Sequence, residues 1–238
     1  MVNNFTFTFG NYSSEMVGLR LKTLPDEVIP KRKTEKLNIL TRDGDLLRDF
    51  ETYEPYTLTL DCYLVNNYTL DNIRKLKEML SIGEGDLIFG WNPDKVYQAR
   101  LISEVNFKEI IDYSATVQIQ FEVQPYAKLK SGENAIDYSG RRTFTLVNQT
   151  AYTSMPVIRL IPKGPDASFY LNDVLVGFIS LDEEIILDSE IEECYNDKGD
   201  NLNHFLDINS DFPLLKPGIN TFEVISADLM IIPNFREL

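Results

Sequence analysis

Thr116-Val117-Gln118-Ile119-Gln120-Phe121-Glu122-Val123-Gln124 carries the clearest strand pattern in the chain. Every second side chain is apolar and each one between is polar. Side chains of a strand alternate between its two faces, so this segment buries one face and wets the other. The same period of two runs through Phe5-Thr6-Phe7-Thr8-Phe9 and Tyr56-Thr57-Leu58-Thr59-Leu60-Asp61-Cys62-Tyr63-Leu64, both rich in aromatic and β-branched types that suit a pleated surface. With the shorter runs Leu19-Arg20-Leu21 and Val105-Asn106-Phe107, the first half of the chain reads as antiparallel β. Its phenylalanines at 5, 7, 9 and 121, like Phe144 and Phe222 later on, fall on apolar faces and are expected in cores.

One segment departs from this period. Between Thr69 and Ser81, Leu70, Ile73, Leu76, Met79 and Leu80 follow three- and four-residue spacings with Arg74, Lys75, Lys77 and Glu78 between them, which predicts a lone amphipathic helix lying on a sheet. Thr69 is placed to cap its start, and Gly83 to take the left-handed conformation just beyond its end. Gly83-Glu84-Gly85-Asp86 then reads as a turn, Leu87-Ile88-Phe89 as a short strand, and Trp91 to Lys95 as a turn into Val96 to Ile102, with Trp91 covering the helix.

Past Pro125 the periodicity fades. Ser131-Gly132-Glu133-Asn134 and Ser139-Gly140-Arg141-Arg142 have the composition of a connection, so the chain divides into a domain at 1–127, a linker at 128–142 and a second domain at 143–238. In the second domain Thr143 to Val147, Val157 to Ile161, Ala167 to Leu171, Val174 to Val176 after an Asn172-Asp173 turn, Ile185 to Asp188, Thr221 to Val224 and Leu229 to Ile232 are short strands without helices, the pattern of a β-sandwich.

Composition narrows the function. In 238 residues, 23 Lys and Arg stand against 37 Asp and Glu, for a net charge of −14. Nucleic-acid binding draws its affinity from clustered cations, so neither nucleic acid nor an anionic membrane is expected as the partner. No signal-like leader and no apolar run long enough to span a bilayer are present, which points to a protein made in a cytosol. Cys62 and Cys194 are too few for a disulfide framework or a four-ligand zinc site and are expected as buried small hydrophobes.

The residues that could carry chemistry fall short of a constellation. Asp182-Glu183-Glu184 and the run Asp188, Glu190, Glu192, Glu193 are the residue types of a cation site or of a glycosidase pair, but in so acidic a chain they read as solvated loops and outer strand faces. Asn196-Asp197-Lys198-Gly199-Asp200 lacks the spacing and terminal Glu of a calcium loop and reads as a turn. The single histidine, His204, has neither a Gly-x-Ser-x-Gly elbow nor a phosphate-binding glycine loop elsewhere in the chain to work with. No catalytic residue, cofactor or metal is therefore expected, and the protein is read as no enzyme.

Taken in order, a series of segments resembles the distal tail proteins of long, non-contractile-tailed bacteriophages and prophages. They are Phe5-Thr6-Phe7-Thr8-Phe9-Gly10, Ile29-Pro30-Lys31-Arg32, Thr41-Arg42-Asp43-Gly44-Asp45-Leu46-Leu47, Asp61-Cys62, Gly83-Glu84-Gly85-Asp86-Leu87, Tyr97-Gln98-Ala99-Arg100-Leu101 and Phe121-Glu122-Val123-Gln124-Pro125. The second half adds Ser154-Met155-Pro156-Val157-Ile158, Leu187-Asp188-Ser189-Glu190, Cys194-Tyr195, Phe212-Pro213-Leu214-Leu215-Lys216-Pro217-Gly218-Ile219-Asn220 and Ile232-Pro233-Asn234-Phe235-Arg236-Glu237-Leu238. The resemblance rests on order and spacing over nearly the whole chain.

What the resemblance implies is a mainly β protein: an N-terminal β-sandwich or split-barrel-like domain with one α-helix, packing into a ring of six, and a C-terminal galectin-like β-sandwich. In that family the ring sits at the tail tip of the virion and joins the tail tube protein to the tail-associated fibre or lysin and to receptor-binding proteins. Some relatives carry carbohydrate-binding insertions, for which 238 residues leave little room. Lys22, Lys31, Arg32, Lys33 and Lys36 form a basic stretch followed by Arg42-Asp43-Gly44-Asp45. Head-to-tail ring closure brings two different surfaces of each copy together, so Lys31, Arg32, Lys33, Arg42, Asp43 and Asp45 are the candidate interaction residues; an ordinary exposed loop explains them equally well. The competing reading is a monomeric carbohydrate-binding module with a galectin-like β-sandwich.

Overall fold

The computed structural model describes residues 5–41, 43–64, 70–102, 104, 107–111, 114–164 and 166–238, and divides into two compact units, 1–127 and 128–237, each with its own core. Among the described residues it is almost entirely antiparallel β, with one α-helix and two short 3-10 turns.

The first unit contains β1 (Phe7–Phe9), β2 (Tyr12–Ser13), β3 (Leu19–Leu21), β4 (Arg32–Leu37), β5 (Leu46–Tyr53), β6 (Tyr56–Leu64), α1 (Leu70–Leu80), β7 (Glu84–Phe89), β8 (Asn92–Leu101), β9 (Phe107–Ile111) and β10 (Ser114–Val123). Its main sheet runs in the order β2-β1-β7-β8-β10-β6-β3, with β9 beside β10. The sheet curls until its ends meet: the Leu19 N–H donates to Ser14 O at 2.8 Å and the Leu21 N–H to Phe5 O at 3.0 Å.

The β6/β10 ladder shows why this register holds. Val117 lies opposite Cys62, Ile119 opposite Leu60 and Phe121 opposite Leu58, all six buried, while Gln118 faces Asp61 and hydrogen-bonds it at 2.9 Å. A one-residue slip would turn every apolar side chain outward. Phe121 packs against Phe9, ring centroids 4.9 Å apart, at the centre of this core. Phe5, expected inside with its neighbours, lies before the first strand and is 43% exposed.

The helix covers the sheet with Leu76, Met79 and Leu80, and its outer side carries the i,i+4 pairs Lys75–Asp71 at 2.9 Å and Arg74–Glu78 at 3.2 Å. The cap expected from Thr69 lies outside the described residues. Gly83 has φ +77°, as its place past the helix end requires. The turn expected over residues 83–86 is shorter than the glycines suggested: Glu84, Gly85 and Asp86 are already paired with Arg100, Ala99 and Gln98. Trp91 stacks on Phe89 with centroids 4.2 Å apart, which places it over the β7/β8 hairpin.

The second unit begins within β11 (Ala127–Leu129) and continues through β12 (Ile136–Asp137), β13 (Thr143–Asn148), β14 (Val157–Pro162), β15 (Ser168–Leu171), β16 (Val174–Gly177), β17 (Ile185–Asp188), β18 (Glu193–Tyr195), β19 (Gly218–Ile225), β20 (Ala227–Ile232) and β21 (Arg236–Glu237). A five-stranded sheet, β12-β20-β14-β17-β18, and a four-stranded one, β13-β19-β15-β16, enclose a core of Ile158, Leu160, Phe169, Leu187, Phe222, Leu229 and Ile231. Tyr138, Phe144 and Phe222 stack in sequence, at 3.8 and 4.8 Å between centroids. The Asn172-Asp173 turn has positive φ at both residues, 49° and 67°, which a two-residue hairpin of this hand demands.

The linker reading of 128–142 is corrected. The Leu129 N–H donates to Phe235 O at 2.8 Å, Ile136 and Asp137 pair with Ile231 and Met230, and Tyr138 is part of the core. A side chain at Gly132 would run into the Phe235 backbone. The segment joins the sandwich through one- and two-residue pairings with a strand some hundred positions later, too short to leave a period.

Both cysteines are free and buried, one in each core. Burial pushes each thiol up to about 12, Asp61 adding to the effect at Cys62. Native protein at pH 8 is expected to resist thiol reagents at both positions and to react fully once unfolded. Rapid labelling of either without denaturant would contradict the buried placement.

Candidate functional site: an exposed β-ribbon

Among the described residues β4 and β5 pair only with each other, as a two-stranded sheet separate from the curled sheet and with no residue in its core. Partners run from Arg32 opposite Tyr53 to Leu37 opposite Leu46, with an irregularity between Arg32 and Thr34. Asp49 makes the local bend: its Oδ1 accepts from the Glu51 N–H at 2.8 Å, and Glu51 has φ +57°. A two-stranded ribbon is marginally stable by itself. This one is tied at its base by Glu54 N–H to Lys31 O at 2.8 Å and by Tyr53 set edge-on against Tyr126, centroids 5.9 Å apart.

Alternation sorts the ribbon into two faces. Opposite residues share a face, so Leu37, Leu46, Glu35, Arg48, Lys33 and Phe50 lie on one, with Lys33 and Arg48 over the Phe50 ring at 5.8 and 5.0 Å. The other carries Lys36, Leu47, Thr34, Asp49 and Arg32, with Arg32 bonded to Asp49 at 3.1 Å. Both faces are exposed along nearly their whole length. At the far end Leu37, Ile39, Leu40, Leu46 and Leu47 are all exposed, Leu47 by 58%, a concentration of apolar surface that a monomer seldom leaves uncovered.

Of the six candidate residues, Lys31, Arg32 and Lys33 sit together at the ribbon's base, Lys31 also paired with Glu54 at 3.7 Å. Asp43 and Asp45 lie at the opposite end, exposed in the tip turn, with strand β4, about 17 Å long, between the two groups. Arg42 lies outside the described residues. The structure thus divides the candidates into a basic base and an acidic tip. Sequence reading missed the apolar tip, although Ile39-Leu40 and Leu46-Leu47 bracket the turn; without the pairing, nothing marked them as neighbours.

Three of the carboxylates weighed for chemistry, Glu184, Asp188 and Glu190, are held in local contacts. Arg159 bonds Glu184 and, at 2.6 Å, Asp197; Glu190 is held by Lys128 at 2.6 Å; and Asp188 Oδ1 accepts from the Glu190 N–H at 3.0 Å. Asn196 Oδ1 accepts from the N–H groups of Lys198 and Asp200, both at 3.0 Å, closing that turn on itself. His204 is exposed in a 3-10 turn, its ring 4.2 Å from that of Phe205. Among the described residues no group of three His, Cys, Asp or Glu could hold a metal ion, and no helix is long and apolar enough to cross a membrane.

Comparison with known proteins places this architecture. No family model matches the sequence, and no curated protein does. Among solved structures, the crystal structure of the Dit protein (gp 19.1) of phage SPP1, described as a paradigm of the hub adsorption apparatus in phages that infect Gram-positive bacteria, matches with a TM-score of 0.73 over 98% of both chains at 16% identity. The chain has the Dit-like fold: mainly β, with a helix and several antiparallel sheets, one of them curled. The structure it matches is that of a phage adsorption-apparatus hub protein.

Proposed function

We propose that this chain is the distal tail hub of a bacteriophage or prophage: six copies closing into a ring at the tail tip of the virion, between the tail tube protein and the fibre or lysin, with receptor-binding proteins as further partners. The observation that carries the reading is the whole-chain likeness to a hub protein, both units included, over 98% of each chain. The ribbon supports it. A head-to-tail contact joins two different surfaces, and β4–β5 offers what such a contact needs: an unpaired projection with an apolar end, a basic base and an acidic tip turn. We assign the ribbon, including Lys31, Arg32, Lys33, Arg42, Asp43 and Asp45, to the contact with the neighbouring copy. The hub acts by binding alone and carries no cofactor.

Mass photometry and negative-stain imaging of the full chain, alone and mixed with a phage tail tube protein, test the reading. Six-membered rings are expected in at least the mixture; a monomer in both, with no tube capped, overturns it.

A second reading has one observation in its favour. On the second unit, Thr143, Tyr170, Asn172, Asp173, Thr221 and Glu223 line an open groove, a ring flanked by hydroxyl, amide and carboxylate groups of the sort that bind a sugar. A monomer retained on a glycan array and released by Tyr170→Ala would favour the carbohydrate-binding module over the hub.

A further inference from the structure

We propose that strand β13 pairs edge to edge with β13 of a second copy of this chain, antiparallel and about a two-fold axis at Thr145. β13 ends the four-stranded sheet and bonds on one side only, to β19. The Val224 N–H donates to Arg142 O at 2.7 Å. Bonded pairs alternate along an antiparallel ladder, so Phe144, Leu146 and Asn148 turn their backbone groups to β19, while Thr143, Thr145 and Val147 turn theirs outward. Those outward groups have no partner among the described residues.

Sheet edges left open are pairing sites, and proteins guard them with charge, proline, bulges, shortness or a covering segment. The other edges of this unit are guarded. At β16, the Gly177 N–H donates to Ser210 Oγ at 2.9 Å and the Asp207 N–H to Gly177 O at 3.0 Å, so residues 207–210 cross the edge. β18 has three residues and β12 two. β13 has six, without charge, proline or any break in register.

The chemistry of the strand selects a second copy as its occupant. Two copies of net charge −14 repel overall, yet Thr-Phe-Thr-Leu-Val-Asn is neutral and meets no like charge in its twin. The register follows from the outward residues: all three exchange bonds only when Thr145 faces Thr145 and Thr143 faces Val147. This sets Arg142 opposite Asn148 and Arg141 opposite Gln149, so the arginines of the two copies do not meet. In this register each Val147, 46% exposed, lies across from Thr143 of the twin. Such a two-fold contact cannot close a ring; it joins two free copies or two rings, and it is independent of the ribbon.

The test uses the full chain carrying Thr145→Cys, with both native thiols buried. A short bis-maleimide is expected to link two chains through Thr145→Cys and through the double variant Thr143→Cys, Val147→Cys, and to link Thr143→Cys alone at least tenfold less. Thr145→Pro, tolerated because its N–H points outward, and Thr145→Lys, which sets two charges face to face, are each expected to lower the two-copy population at least tenfold in sedimentation. Equal linking by Thr145→Cys and Thr143→Cys, or a mass distribution unchanged by both Thr145 substitutions, overturns the proposal, as does linking of Thr145→Cys to a different protein in place of a second copy. Because the edge and the ribbon lie on different units, a variant that lacks rings but still links through Thr145→Cys separates the two contacts.

Discussion

The double variant Leu40→Asp, Leu47→Asp is expected to stay folded and to lose the ring. Neither side chain supports the fold of its own chain: Leu40 is fully exposed, Leu47 lies on an exposed strand face, and neither belongs to the core of the unit. Exposed substitutions of this kind change stability by about 0.5 kcal/mol or less. In the proposed ring each leucine would be buried by the neighbour, and burying one stabilises a contact by about 1.5–3 kcal/mol. Every 1.4 kcal/mol is about a tenfold change in affinity, so losing both weakens each contact by at least about a hundredfold, before the cost of placing a carboxylate there. All contacts of a closed ring are the same contact, so rings disappear rather than shrink. Mass photometry with and without the substitutions, beside thermal unfolding of both proteins, measures the two halves of the prediction. A variant that unfolds at the wild-type temperature and still forms rings removes the ribbon tip from the interface. Reversing Lys31 and Arg32 is a less clean test, because they are paired within the chain with Glu54 and Asp49.

Phe121→Ala and Phe222→Ala are expected to destabilise one unit each. Both rings are fully buried, Phe121 against Phe9 and between β6 and β8, Phe222 in the stack with Phe144 and beside Phe169. Truncating a core phenylalanine costs about 3–5 kcal/mol, the lost burial plus the cavity left behind. Each core holds one cysteine, which makes the readout specific. In a urea series, Phe121→Ala should expose Cys62 to thiol reagents at a lower concentration and leave Cys194 where it was; Phe222→Ala should do the reverse. At a slope of about 1–3 kcal/mol per molar urea, the shift is at least about 1 M. If either substitution moves both cysteines together, the units do not unfold independently.

Much of the scaffold was legible because alternation is a local property. The faces of β6 and β10, the helix over Leu76, Met79 and Leu80 and the turn at Asn172-Asp173 each follow from neighbours along the chain. Residues 128–142 have the composition of a linker because their order comes from Phe235, Leu229 and Ile231, far along the chain. The ribbon was legible only as a run of charge. Arg32 to Leu37 has no buried face to leave a period, and it is a strand because Leu46 to Tyr53 pairs with it.

Residue order alone makes the chain β-rich, marks the apolar side of most strands and gives each half enough apolar strands for its own core. These follow from side-chain identity at fixed spacing. Which strands are neighbours is settled by folding, and among the described residues it leaves the ribbon joined to no other sheet and the outer edge of β13 unpaired. Backbone N–H and C=O groups are the same in every residue, so nothing in a strand's own sequence says whether both of its edges are filled. That depends on segments elsewhere in the chain, and the unfilled edge and the uncovered ribbon are where binding of another copy is proposed.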